Sequence, residues 1–437
     1  MERPQHRFKK IAIGLAAFGL AAGLTACGDS SAPAGDDTTA GGDATQTLIW
    51  WHNMNADPGL AYWKTVVADY EADHPGLKID MQVYQNEDLR TKIRTALQSD
   101  SPPDLFQQWG GGELIDQVQA GYVMDLSDQV ADEIAVIGEG NVVGWQVDGQ
   151  TYGLPFTLGI EGIWYNKDMF EAAGITSVPK TLDDLSAAVE KLRAAGLQPI
   201  AVGGQDGWPA AHWYFNFALR ECSQATLVAD ATDKAFTDPC WQKAAQDLAD
   251  FAATDPFNDG WVTTQAQVGA GSSAGMLANG QAAMELMGIW ESGVVGSLTP
   301  DQKVPEFLGW FPFPSVPGGG GDQKAAMAGG DGFSCHKDAP ASCVEFIKYI
   351  LSDKVQAGYA ATGSVPANPN ANSSLTEPIL QDVTAQAKDV SYTQLWLDTV
   401  YGANVGEAIN NNVVALLQGQ YQPAEFVQAV QEAAAKS

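Results

Sequence analysis

Trp109 directly follows Gln108, and Trp208 stands two residues after Asp206, so the chain twice sets a flat apolar ring beside a hydrogen-bonding side chain. Both rings sit in polar segments flanked by Gly or Pro, where a core role is unnatural. Trp290, next to Glu291, follows a strand-like run in the same way. An indole face with amides and acids at its edge is what a ring with C–H faces and a hydroxyl rim requires for noncovalent capture. Asn53 after the first strand, His52 beside it, and Asp331 after Gly329 and Gly330 extend the polar set. For Asn53 and Asp331 a turn-forming role weighs about equally with a ligand role. His52 either donates to a ligand hydroxyl or sits at the rim, and Glu291 reads as a solvated acid. Of the thirteen tryptophans, Trp63, Trp164 and Trp241 lie on helical or strand stripes and read as core.

Covalent chemistry has no recognisable constellation. Neither Gly-x-Ser-x-Gly nor His-Glu-x-x-His occurs, so no catalytic residue is assigned. His52, His74, His212 and His336 lack paired helical spacing and no Cys-x-x-Cys is present, so no metal and no cofactor are expected. With 53 acidic residues some pair will always meet the spacing of a glycoside hydrolase, and that remains the enzyme alternative.

The N-terminus states where such a site would work. Arg3, Arg7, Lys9 and Lys10 precede an apolar run from Ile11 to Leu24, too short to span a bilayer comfortably. Leu24, Thr25, Ala26 and Cys27 resemble a bacterial lipobox, so residues 1–26 read as a lipoprotein signal peptide with lipid attached at Cys27. Residues 27–46, rich in Gly, Ser, Ala, Thr, Pro and Asp, read as a flexible tether. The expected location is the extracellular face of a bacterial cell membrane. A net charge of −30 argues against nucleic acid and anionic membrane surfaces as partners. Four cysteines remain for an oxidising compartment; Cys222 with Cys240 and Cys335 with Cys343 is the economical pairing of the three possible.

The remaining roughly 390 residues exceed one comfortable core and should form two domains. Strand signals at 47–51, 77–83, 104–107, 198–202 and 282–287 alternate with helix signals at 61–74, 87–98, 113–120, 182–195 and 343–360. A capping box at Thr181 and Asp184 opens one of these helices, and Pro239 takes the first position of another. This order implies an α/β fold with mainly parallel sheets flanked by helices.

Tyr152, Gly153, Leu154 and Pro155, then Trp164 to Phe170, Ala173, Gly174 and Pro179 to Thr181, resemble the family-1 extracellular solute-binding lipoproteins of ABC importers, which capture oligosaccharides. Leu182 stands where many members have Trp. Trp51 to Asn53, Gln85 to Leu89, Asp206 to Trp213, Gly269 to Ser273, Gly309 to Phe313 and Gln394 to Asp398 are similar, more narrowly, to actinobacterial xylobiose-type binding proteins. The resemblance implies a two-lobe periplasmic-binding-protein-like fold of type II with several hinge crossings. Lobe 1 would comprise residues 47–156 plus 330–366, and lobe 2 residues 157–329 plus 367–437. It further implies that Trp290 stacks on sugar, and that Trp396, which periodicity places in a helix core, lines the site. The implied ligand is xylobiose or another xylo-oligosaccharide, the implied partner an ABC permease, and the expected state a monomer. The same fold with a polyamine or peptide cargo is the other alternative.

Overall fold

From residue 46 onward short β-prone runs alternate with amphipathic helices, and the computed structural model, which describes residues 45–436, lays them out as two separate sheets. The signal peptide, the Cys27 lipobox and nearly all of the tether lie outside the described residues; Gln46 already belongs to the first strand. The strands are β1 (Gln46–His52), β2 (Leu77–Val83), β3 (Leu105–Gln108), β4 (Gln146–Val147), β5 (Gln150–Thr151), β6 (Leu154–Pro155) and β7 (Gly159–Asn166). Then follow β8 (Gln198–Ala201), β9 (Ala282–Gly288), β10 (Leu308–Pro312), β11 (Ala326–Gly329), β12 (Gly332–Cys335) and β13 (Thr393–Gln394).

The first sheet has the order β2-β1-β3-β12-β6; the second runs β13-β11-β7-β9-β8, with β10 also pairing β7. Both are mixed rather than mainly parallel. β1 pairs β2 and β3 in parallel, and β8 pairs β9 in parallel, as helical crossovers require. β12, however, runs antiparallel to β3 and β6, and β7 antiparallel to β9, β10 and β11. The reason is local. Only residues 156–158 separate β6 from β7, and only 330–331 separate β11 from β12, so the chain passes straight from one sheet to the other with no room for a crossover helix.

These passages bond to one another. Phe156 N donates to Asp331 O at 2.8 Å, Ala367 N to Phe156 O at 3.1 Å, and Thr157 Oγ1 to Val365 O at 2.7 Å. Three crossings thus form one small hydrogen-bonded bundle between two cores. Under the first sheet, Trp63 meets Trp50 and Phe156 edge to face at 5.6 and 5.4 Å. Beneath the second, Trp213 stacks on Phe251 and Trp241 is buried beside Tyr401. Trp164, at the centre of β7, is fully buried and donates Nε1 to the β9 end.

Local expectations are met at several places. Thr181 and Asp184 form the reciprocal capping box of helix Leu182–Ala194. Disulfides join Cys222 to Cys240 and Cys335 to Cys343. The helix expected over 343–360 is two helices, Ser342–Leu351 and Asp353–Ala360. Ser352 breaks it by turning extended at ψ 151° and capping the second helix with its own hydroxyl. Apolar periodicity continues across that cap, so spacing alone does not reveal it.

Candidate functional site

Six strands of the two sheets end beside one cleft, each delivering a residue into its wall. Asn53 follows β1, Trp109 follows β3, Asp206 and Trp208 lie beyond β8, Trp290 follows β9, Asp331 follows β11 and Trp396 follows β13. Ends of α/β strands are where such sheets hold ligands.

Three of the tryptophans form a cage. Trp290 lies 6.4 Å from Trp208 at 59° and 5.9 Å from Trp396 at 72° between ring planes. His212 closes the third side, stacked on Trp396 at 4.7 Å and 5.0 Å from Trp208. His212 Nδ1 is paired with Glu161 on β7, whose other oxygen accepts from Asn216 Nδ2 at 2.6 Å. Two of the cage rings, Trp290 and Trp396, rest on glycine backbone. A methyl group added to Gly288 would fall 2.1 Å from the Trp290 ring, and one on Gly329 2.0 Å from Trp396 Nε1. Glycine is required at both because any side chain would occupy the ring's place.

Trp109 supplies a fourth indole from the first sheet, with the Arg90 guanidinium 4.8 Å above it. Arg90 belongs to helix Asn86–Ala96, which follows a strand of the first sheet, yet reaches the helix Leu397–Val400 that follows β13 of the second. It donates to Asp398 Oδ2 at 2.8 Å and Thr399 Oγ1 at 3.0 Å, and on its own side to Glu113 Oε2 at 3.1 Å. Burial works to raise the Asp398 carboxyl, but Arg90 and the Asn410 amide hold it below the ordinary range. Burial pushes Asp331 up to about 6, against hydrogen-bond donors from Gln107 and Trp109. Asp206 is also raised by burial, while accepting from Ala266 N at 2.8 Å. Asn53 donates to Asn86 Oδ1 at 2.9 Å.

Two expected residues stand elsewhere. His52 is fully buried, because the alternation of β1 turns Leu48, Trp50 and His52 together into the core. Its Nδ1 accepts from Met54 N at 3.1 Å, and burial drives its imidazole down to about 3. Gln108 is spent on the turn: its Oε1 accepts from Trp109 N and Gly110 N at 2.8 and 2.9 Å, and Nε2 donates to Gln117. It shapes the Trp109 loop without lining the cleft. Trp208 is not in a loop but opens helix Trp208–Glu221, with Pro209 just behind it. Trp396 is not within a helix; it is the cap residue before Leu397–Val400.

Arg90, His212, Asn86 and Tyr359 also line the cleft and were not singled out from sequence. The adjacency of Gln85, Asn86 and Glu87 at a helix start was the available signal for one side. Nothing local marks Arg90, whose partner lies 308 residues away.

Glu291 is not solvated but wholly buried, facing Glu285 of β9 behind the cage. Burial raises both carboxyls, and for Glu291 the Glu285 charge adds to it. The unfolded chain releases these protons near the ordinary carboxylate pKa, whereas the folded chain keeps at least one to about pH 8. Between those values the folded form binds more protons, so the pair's stabilising contribution is full in mild acid and declines as pH rises. We expect a loss of roughly 1 kcal/mol per pH unit over part of the range 5 to 8. Melting temperature against pH should therefore slope downward more steeply in the native chain than in Glu291→Gln; parallel slopes would contradict a raised Glu291 carboxyl.

Comparison with known proteins places this geometry. Residues 56–357 match the family described as bacterial extracellular solute-binding protein. The chain is 29% identical over 260 residues, 57% of each chain, to an uncharacterized ABC transporter extracellular-binding protein of Pyrococcus horikoshii, so that match spans just over half of the relative. It is 26% identical over 438 residues, 96% of each chain, to the diacetylchitobiose binding protein DasA of Streptomyces coelicolor. In fold it superposes with a TM-score of 0.81 at 24% identity, over 88% of this chain and 99% of the other, on a protein solved in a study of xylan utilization by Caldanaerobius polysaccharolyticus.

Proposed function

This chain belongs to the bacterial extracellular solute-binding protein family, and on that premise we propose that it captures a short oligosaccharide between its lobes and presents it to the membrane permease of an ABC importer. The observation that carries the reading is the cage of Trp208, Trp290 and Trp396 facing amides and carboxylates across the cleft. Indole faces cover the C–H surface of a pyranose, and Asn53, Asp206 and Asp331 offer its hydroxyls partners. Two buried donors there, Trp290 Nε1 and Arg90 Nε, have no partner within the protein, which a ligand hydroxyl would satisfy.

A sugar touching both lobes binds the closed form more tightly than the open one and so shifts the population toward closure. The permease then reads the closed shape. The lipid at Cys27 and the tether would keep the receptor beside it. Residues 47–156 plus 330–366 and residues 157–329 plus 367–437 are the proposed lobes, and the chain acts as a monomer.

Xylobiose or a longer xylo-oligosaccharide is the favoured cargo. Diacetylchitobiose is the second reading, favoured by the relative that matches over 96% of its length. Calorimetric and Trp-fluorescence titration with xylobiose, diacetylchitobiose, maltose, spermidine and a tripeptide decides among them. We expect one saccharide to bind at micromolar Kd or tighter, to change the emission and to be recovered unhydrolysed. Silence toward every saccharide, or release of xylose from xylobiose, would overturn the reading.

A further inference from the structure

The charge around the cage is one-sided. Asp206, Asp331 and Asp398 line the cleft and Asp57 stands at its exposed rim. Among the described residues Arg90 is the one lysine or arginine in the lining. That guanidinium is already committed: both terminal nitrogens donate within the protein, to Asp398, Glu113 and Thr399. Two carboxylates on one cation leave the cluster net negative. Only Nε is free, a single donor that suits a hydroxyl and lacks the two-pronged fork with which arginine grips a carboxylate. His212 brings no offset, since it is paired with the Glu161 carboxylate.

We infer that the site selects by charge within the sugar class, admitting neutral saccharides and rejecting those that carry a carboxylate, such as uronic or aldonic acids. Asp206 and Asp331 are the specificity-determining residues. They follow β8 and β11, which lie in the second sheet with β7 and β9 between them, so the two carboxylates reach the cleft lining at separate places and an anion in the cage lies near one or the other. A ligand carboxylate held about 6 Å from either is disfavoured roughly 10- to 100-fold in affinity, because the half-buried walls screen it less than bulk water would. Neutral hydroxyls gain from the same groups as hydrogen-bond acceptors.

The inference rests on the oligosaccharide reading above, and its test separates the two. The disaccharide that binds best in the panel is converted to its alditol and to its aldonate, two open-chain ends that differ by one carboxylate. Each is titrated calorimetrically into the full chain, together with cellobiose against cellobiouronic acid. In each pair whose neutral member binds, the acid should be at least tenfold weaker. Asp206→Asn and Asp331→Asn, which keep the side-chain shape, should each shrink that ratio at least threefold, and so should raising the salt to 1 M. Equal binding of acid and neutral members would overturn the charge filter, as would a ratio that neither variant nor salt moves. If no neutral saccharide binds at all, the oligosaccharide reading fails and the filter falls with it.

Discussion

Replacing Trp290 by alanine is expected to weaken saccharide binding about a hundredfold while leaving the fold intact. Trp290 is the central wall of the cage, touching the space shared with Trp208 on one side and Trp396 on the other. Removing it takes away one stacking face and lets water reach the two that remain. Burial of an aromatic ring and its contact with a facing ligand are together worth about 2 to 3 kcal/mol, which is roughly two powers of ten in Kd. The ring is only half-buried and stands at the cleft rather than in the core, so the melting temperature should move little. Trp290→Phe keeps a face and should lose about tenfold or less. Gly288→Ala keeps the indole but puts a methyl where it rests, and should weaken binding for a different reason. Calorimetry on the three variants checks this; an unchanged Kd for Trp290→Ala would show that the sugar sits elsewhere.

Arg90→Ala should cost about 3 to 5 kcal/mol of stability, more than any surface ion pair in this chain could account for. The loss comes from what is left behind. Asp398 and Glu113, with side chains 7% and 8% exposed, would each remain buried without their cation. Because Arg90 joins elements that follow strands of both sheets, its removal should also weaken ligand affinity in the cleft between them. Arg90→Lys should recover only part of the stability, since an ammonium cannot serve Asp398, Thr399 and Glu113 at once from that position. Arg90→Ala combined with Asp398→Asn should be less harmful than Arg90→Ala alone. Denaturant unfolding of the three variants beside the native chain is the measurement, and a loss under about 1 kcal/mol for Arg90→Ala would contradict the account.

Much of the frame could be read without coordinates because it depends on near neighbours. Strands at 77–83 and 282–287, the capping box at Thr181, and the proline-opened helix at Pro239 each follow from a few adjacent residues, and the structure places them within about two residues. Trp109, Trp208 and Trp290 could be read for a related reason: each follows a strand signal, whereas Trp396, which periodicity places in a helix core, was pointed to the cleft only by the family resemblance. Trp208 and Trp396 were misplaced only in their immediate element. The disulfides were open to the same reasoning, since each closes a short segment.

The polar residues were not legible in this way. His52 and Asn53 are adjacent, yet one is sealed in the core by strand alternation and the other lines the cleft. Glu291, acidic and beside a candidate tryptophan, looked solvated; it is wholly buried, and Glu285 of the preceding strand is buried with it. Gln108 is next to Trp109, which lines the cleft, but serves the turn instead.

Sequence alone therefore determined the alternation of strands and helices, three of the four tryptophans that line the cleft and the excess of negative charge. Tertiary structure alone decided which acids are paired, which are free to face a ligand, and that Arg90 and Asp398, 308 residues apart, meet across the cleft. An apolar ring carries its preference for burial wherever it goes, whereas a charge takes its meaning from its partner, and partners are assigned by the fold.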